Sequence, residues 1–478
     1  MRKWSKNRLS KLGMRTAIRP LFWLVAMLAI VALAMIVLRT LILQSHAYTD
    51  PSTHLDLSVL LRLPVPVANK IDNGWSILVA VWTMLAATTY CGYRYAQSVG
   101  VNSDRLIVLG LLVVGAALVF FPILMSGDAY AYVIYGRLFG LHGVNPYYLP
   151  LPLKVNFDPV IDQCLTIYGN PPPGDNYGPL WTLLAGGVSS LFASTSLAFQ
   201  ILVERIIALG FALLAVAGLS RIVRRRESWL GGIARYAFHP LLLFETAVGA
   251  HNDIMMVALA LWAFALVEEM PLLAGLLIGA SIATKYLSVC MLPFLIVKAA
   301  RKGWKPALAL LAIACAIPVL TFRPFWLGKM TAQSLVWQSA NVSMSPSWIA
   351  TYVVGGVGHE RLVQIALTVG FFALYGVALW RYARNLDLSN LWLVLAALLW
   401  IAPMLNPWYT LWLLPAAAAN GYWARFAWWF GALSLLRYSG EVPIYPPVWV
   451  LVFVTLVIFV TPILLARFMP RRTEHALT

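Results

Sequence analysis

SGDAYAYVIYGRLFGLHGVNPY, residues 126–147, begins where a long apolar run stops. Its first charge is Asp128, and Tyr130, Tyr132, Tyr135, Arg137, His142 and Asn145 follow. A helix facing lipid does not carry so many hydrogen-bonding groups, and a flexible loop does not carry so many aromatic rings. The pattern suits a segment lying at a membrane surface, half apolar and half wet.

The rest of the chain supplies the membrane. Of 478 residues, 61% are hydrophobic and only 11% charged. A soluble core of that length has no room for so much apolar surface, so the bilayer is the solvent for most of it. Thirty-five Lys and Arg against 18 Asp and Glu leave a formal charge of +17. The basic residues fall in short runs between apolar segments, as the positive-inside rule requires of a multi-pass protein, and not in the patches that bind nucleic acid. Cys91, Cys164, Cys290 and Cys315 show neither a disulfide framework nor metal-ligand spacing. The basic N-terminal stretch and the apolar run from Leu21 to Leu38 read as an uncleaved first helix, although Ser45-His46-Ala47 is a weak cleavage site.

Apolar runs weighed against Lys and Arg predict an all-α integral membrane bundle of about 12–14 transmembrane helices. Both termini are expected in the cytoplasm, with short surface helices in the extracytoplasmic loops. Helices at 20–43, 75–97 and 105–126 bring the chain out at Asp128. Residues 127–177 and 323–361 are the two main outer loops, and 44–74 is a third. If 178–198 and 200–222 both crossed singly, Arg221, Arg224, Arg225 and Arg226 would fall outside, against the charge rule. The first of these is therefore expected to be re-entrant or a short hairpin, which is tolerated where backbone is buried in protein. Three regions are expected: 1–104 with the N-terminal tail and two helices, a catalytic core at 105–420, and C-terminal helices with a tail at 421–478.

On this map the outer face gathers Asp128, Tyr132, Arg137, His142, Asn145, Asp175, Asn176, Tyr177, His251, Asn252, Asp253, Lys285, Tyr286, Arg323 and Asn406. A transporter more often sets its ionisable groups at mid-membrane on broken helices. Each residue also has an ordinary role open to it. Asp128 suits a helix N-cap, His251-Asn252-Asp253 a polar turn, and Lys285 and Arg323 snorkelling cations.

In their order and membrane side, Asp128-Ala129-Tyr130, Tyr135-Gly136-Arg137 and Gly143-Val144-Asn145-Pro146-Tyr147, then Asn176-Tyr177-Gly178-Pro179-Leu180, His251-Asn252-Asp253 and Thr284-Lys285-Tyr286, resemble GT-C fold glycosyltransferases. Those enzymes use polyprenyl-phosphate sugars, and the resemblance is to their α-mannosyltransferase and GT87 groups over residues 105–420. It implies transfer of a sugar, mannose, from a polyprenyl-phosphate donor to a glycan or glycolipid acceptor of the cell envelope, at the outer face of the plasma membrane and with inversion. It implies Asp128 as catalytic base, one departure being that the loop here follows the third helix where in many relatives it follows the first.

The residue types suit that chemistry. Glycosyl transfer passes through an oxocarbenium-like state, the incoming hydroxyl gives its proton to a carboxylate, and the departing phosphate calls for fixed cations. Arg137, Lys285 and Arg323 are candidates for those cations. Tyr132, Asn145, Asn176, Tyr177, His251, Asn252, Asp253 and Tyr286 are candidates for substrate contacts. No metal or other cofactor is expected, because phosphate is already a good leaving group. The rival reading is a transporter or a lipid or oligosaccharide flippase without transferase activity.

Overall fold

The computed structural model describes residues 3–43, 74–99, 104–121, 126–148, 151, 158–168, 174–223, 229–334, 336, 342–354, 360–441 and 447–468. The outer loop expected at 44–74, the Ser45-His46-Ala47 site and Arg224, Arg225 and Arg226 lie almost wholly outside these residues.

The described residues form helices and no strand. In chain order the main ones are α1 (Lys3–Leu43), α2 (Gly74–Val99), α3 (Asp104–Leu118), α4 (Asp128–Gly140), α5 (Pro159–Tyr168), α6 (Pro179–Leu191), α7 (Leu197–Val223) and α8 (Trp229–Ala237). There follow α9 (Asp253–Leu266), α10 (Pro271–Thr284), α11 (Leu292–Ala300), α12 (Trp304–Phe322), α13 (Glu360–Asn385), α14 (Ser389–Ile401), α15 (Tyr422–Ser434) and α16 (Val448–Phe468). Six stretches, within α1, α2, α7, α12, α13 and α16, are long and apolar enough to cross a bilayer. Six more apolar helical stretches are shorter, at 10–17 residues. The 12–14 segments read from hydropathy thus divide into full spans and short pieces. A 14-residue helix covers about 20 Å, against roughly 30 Å of hydrocarbon.

One expected segment takes a different form, and a further apolar run, 410–420, forms no regular α-helix. Residues 178–198 are no hairpin but the single helix α6, followed by a turn into α7. The Gly186-Gly187 pair does not break the helix, and Gly186 instead lies against Phe139 of α4. Residues 410–420 are no α-helix but two buried 3-10 stretches, Pro407–Trp412 and Leu414–Ala418. Their tighter coil rises about 2 Å per residue, against about 1.5 Å in an α-helix.

The long helices sort polar groups to two ends. At one end Arg221 pairs with Glu269, Lys298 stands 3.9 Å from Glu268, and Lys302 and Arg301 donate to the carbonyls of Glu268 and Ala383. At the other ends of α9 and α10 stand Asp253 and Lys285. Within α7, buried Arg205 donates to the carbonyls of Val119 (2.8 Å) and Phe121 (2.6 Å), tying off α3 shortly before Asp128. A buried cation is tolerated there because those carbonyls, in the turn just past α3, give it hydrogen-bond partners.

Helices α4 and α6 run side by side in one direction, Tyr132 meeting Trp181 and Gly140 meeting Gly186 and Ser190. At the head of α6, the Gly178 N–H donates to the Thr284 carbonyl at 3.0 Å. A Cβ on Gly178 would stand 2.1 Å from the Ala283 carbonyl oxygen, so only glycine lets α6 abut the end of α10. Gly178→Ala is therefore expected to cost about 1–3 kcal/mol through forced backbone shifts. The check is a lowered melting temperature of the purified protein in detergent.

Candidate active site

Three chain turns meet where α4, α9 and α10 begin or end. Asp128 opens α4 after Gly127, its backbone N–H 3.3 Å from the Ser126 hydroxyl, so its side chain has no capping duty. It is 17% exposed, whereas its neighbour His251 is fully buried. His251 and Asn252 precede α9, and Ala250 just before them has a positive φ of 57° that bends the chain into the site.

His251 stands between two acids. Its Nδ1 is 3.4 Å from Asp128 Oδ2, and its Nε2 is 3.1 Å from Oε2 of buried Glu245. Neither pair is aligned as a hydrogen bond; the attraction is between charges at close range. The ring lies flat on Trp408, centroids 3.9 Å apart and 12° from parallel. Glu245 is held from behind by the Tyr438 hydroxyl, at 3.0 and 3.2 Å from its two oxygens.

A second charge pair adjoins the first. Lys285 Nζ donates to both oxygens of Asp253, at 2.8 and 2.7 Å, and the Trp412 indole N–H donates to Asp253 Oδ1 at 2.6 Å. The ammonium also lies 4.8 Å from the centre of the Tyr409 ring. Burial alone would push the Asp128 carboxyl up, but His251, then Tyr177 and Lys285, outweigh it and hold Asp128 below the usual carboxylate range. Burial would likewise strip the proton from His251, but Asp128 and Glu245 retain it and raise the imidazolium to about 9. The chain therefore presents an ionised carboxylate backed by an imidazolium at neutral pH.

The aromatic wall is tied to the same atoms. Tyr177 donates a hydrogen bond to Asp128, and its carbonyl accepts from the hydroxyls of Tyr286 (2.6 Å) and Tyr147 (2.8 Å). Tyr132 meets Tyr177 edge-on at 5.0 Å, and its hydroxyl accepts the Asn252 N–H at 3.3 Å. Tyr286 stacks on Phe322, next to exposed Arg323 at the end of α12. Both side-chain polar atoms of Asn252 are buried without a partner among the described residues.

Of the residues expected from sequence, the structure brings together Asp128, Tyr132, Tyr177, His251, Asn252, Asp253, Lys285 and Tyr286, with Arg323 at the margin. Asn176 is half-buried beside Tyr177. Four others stand apart. Arg137 lies nine residues along α4 from Asp128, about 13 Å by helical rise, and its Nε donates to Asp158 at 2.8 Å. Asp158 also meets His142 Nε2 at 2.8 Å, so Arg137 and His142 both serve that carboxylate and not a phosphate. Asn145 donates to the Phe325 carbonyl and accepts from the Tyr147 N–H, both at 3.0 Å, fastening the segment after α4 to the chain just past α12. Asp175 is likewise taken up within its loop by Thr182 Oγ1 at 2.6 Å.

Sequence reading missed Glu245, Trp408, Trp412 and Tyr438. A lone carboxylate inside LLLFETAVGA, residues 241–250, was the available signal, since charge within an apolar run is costly and marks function or pairing. Glu204-Arg205 inside α7 gave the same signal and also went unread.

Residues 26–301 match the family described as Alpha-(1->6)-mannopyranosyltransferase, N-terminal domain. The chain belongs to this alpha-(1->6)-mannopyranosyltransferase family. The resemblance drawn from those motifs is borne out at that level, and the matched span takes in α1 from residue 26 onward and all of α2. The chain is 28% identical over 333 residues to Alpha-(1->6)-mannopyranosyltransferase A of Mycobacterium tuberculosis, covering 61% of each chain. It is 25% identical over 212 residues to a second alpha-(1->6)-mannopyranosyltransferase of that organism, covering 42% of this chain and 33% of the relative. The chain thus spans less than two thirds of the length of these curated relatives. No solved structure matches it.

As a member of the alpha-(1->6)-mannopyranosyltransferase family, the chain carries Asp128, His251, Asp253 and Lys285 all within the matched span. Lys285→Met would leave the Asp253 carboxylate buried without its cation, which typically costs about 3–5 kcal/mol. Adding Asp253→Asn is expected to restore part of that loss, read by the melting temperatures of the single and double variants.

Proposed function

We propose that this chain is a membrane mannosyltransferase that moves mannose from a polyprenyl-phosphate donor to a glycan or glycolipid acceptor at the extracytoplasmic face. The observation that carries the reading is Asp128: a carboxylate 17% exposed, with the fully buried His251 ring 3.4 Å behind it. A carboxylate so placed accepts a proton from an acceptor hydroxyl as that oxygen attacks the anomeric carbon. The bond from that carbon to the phosphate oxygen breaks at the same time, and the phosphate leaves with the electron pair. Attack from the face opposite the leaving group inverts the anomeric centre.

The other groups fall into supporting roles. Lys285 and exposed Arg323 offset the charge gathering on the departing phosphate. Tyr132, Tyr177 and Tyr286 offer ring faces to sugars, and the unpaired amide of Asn252 gains a hydroxyl partner. Cations in these places supply the charge that a metal would otherwise provide, so the reaction is written without one. A cavity of about 750 Å³, lined by Trp82, Phe238, Trp428 and Leu436 among others, offers an apolar berth for an isoprenoid tail.

The test is a transfer assay in membranes with radiolabelled polyprenyl-phosphate mannose. Asp128→Asn is expected to lower the rate by about 10²–10⁴-fold, the usual worth of a general base, while the protein still inserts. Equal rates for wild type and variant would remove Asp128 from the chemistry. Lipid movement without any sugar transfer would instead favour the flippase.

A further inference from the structure

Behind the carboxylate that faces the substrate lies a second one that the reaction scheme does not use. Glu245 is fully buried in the π-turn Leu243–Val248, and no solvent competes for its charge. It faces His251 at 3.1 Å and Tyr438 at 3.0 and 3.2 Å, with Asp253 near enough to act on it electrostatically. His251 in turn faces Asp128 from α4 and the Trp408 ring, and Asp128 faces Tyr177 and Lys285. Gly249, between Glu245 and His251, leaves room for the imidazole, since a Cβ there would stand 2.7 Å from the ring. The chain thus spans Glu245 to His251 in one tight turn and delivers both ring nitrogens to carboxylates on opposite sides.

An imidazole with a carboxylate at each nitrogen is driven to carry both protons, because a neutral ring would turn a lone pair towards one of the two acids. We propose that Glu245 is a positioning residue: from behind the His251 ring it holds the imidazole doubly protonated and aimed at Asp128, keeping Asp128 in its proton-accepting form. Tyr438 completes the line by holding Glu245 in place, and Trp408 fixes the plane of the ring. The inference rests on the mannosyltransferase reading with Asp128 as base, and assigns to Glu245 the upkeep of that base.

The sign of the pH dependence follows. His251 is charged below about 9 and loses its proton as pH rises through that value. Transfer by the wild type is therefore expected to fall along an alkaline limb near that pH. Glu245→Gln keeps the shape of the side chain but removes its charge, so the limb should move to lower pH by about one unit or more. Its kcat should fall at neutral pH with little change in KM, because no substrate contact is lost. Glu245→Asp, which retains the charge, should restore the wild-type limb. A purely structural Glu245 would lower the amount of active protein without moving the limb.

Nitrogen-15 histidine spectra of the wild type in detergent provide a readout that does not depend on activity. The His251 ring, assigned by its loss in His251→Gln, should carry two protons at pH 7.5. A neutral His251 ring in that sample overturns the proposal. So does an unmoved alkaline limb in Glu245→Gln when Asp128→Asn is inactive, and that result leaves the transferase reading intact. Full activity of Asp128→Asn overturns both together.

Discussion

A charge withdrawn from water has to be answered by another charge within a few ångströms, and the interior of this protein is arranged around that requirement. Asp128, His251 and Glu245 form one alternating line, acid, base, acid. Asp253 and Lys285 form a second pair, with the Trp412 indole as third partner. Neither set is complete on one helix. The first needs the start of α4, the turn before α9 and the π-turn ahead of it. The second needs α9, the end of α10 and the 3-10 stretch from Pro407. The irregular backbone here follows from the same demand, since each of these turns exists to bring a charged side chain to a partner on another segment.

Hydropathy and the distribution of Lys and Arg were enough to read the helical membrane class and to separate the two polar ends of the bundle. The basic turns at Arg221, Lys298, Arg301 and Lys302 do share an end, opposite Asp253 and Lys285. The form of the short segments was not legible. Residues 178–198 and 410–420 are both apolar, and apolarity alone does not distinguish a hairpin, a short α-helix and a 3-10 run. That choice is made by tertiary contact: Gly178 against the Ala283 carbonyl in one case, and Trp412 against Asp253 in the other.

The site was legible where a polar residue stood at a predicted helix end, as with Asp128, His251-Asn252-Asp253 and Lys285. It was illegible where the partner came from inside an apolar run, as Glu245 does, or from a distant turn, as Tyr438 does. Arg137 shows the opposite error. It lies in the same short helix as Asp128, but helical rise carries it away to Asp158, so closeness along the chain was mistaken for closeness in space. The family match covers the chain through Arg301 and so includes the Asp128, Glu245, His251, Asp253 and Lys285 positions, while Trp408, Trp412 and Tyr438 come from beyond it.

The brevity of α9 has a consequence for depth. From Asp253 at its head to the Glu268-Glu269 end is about 20 Å of helix, well short of the roughly 30 Å of hydrocarbon. By contrast, α7 continues from Arg205, beside the end of α3, for a further eight residues to Leu197, about 12 Å by helical rise. Asp253 and the carboxylates beside it therefore stand set back from the end that α7 reaches, over a helix too short to cross the hydrocarbon. On the proposed reading, a sugar hung from a lipid phosphate would be drawn to that recessed level by its own anchor, whereas one arriving from water would have to shed its hydration on the way.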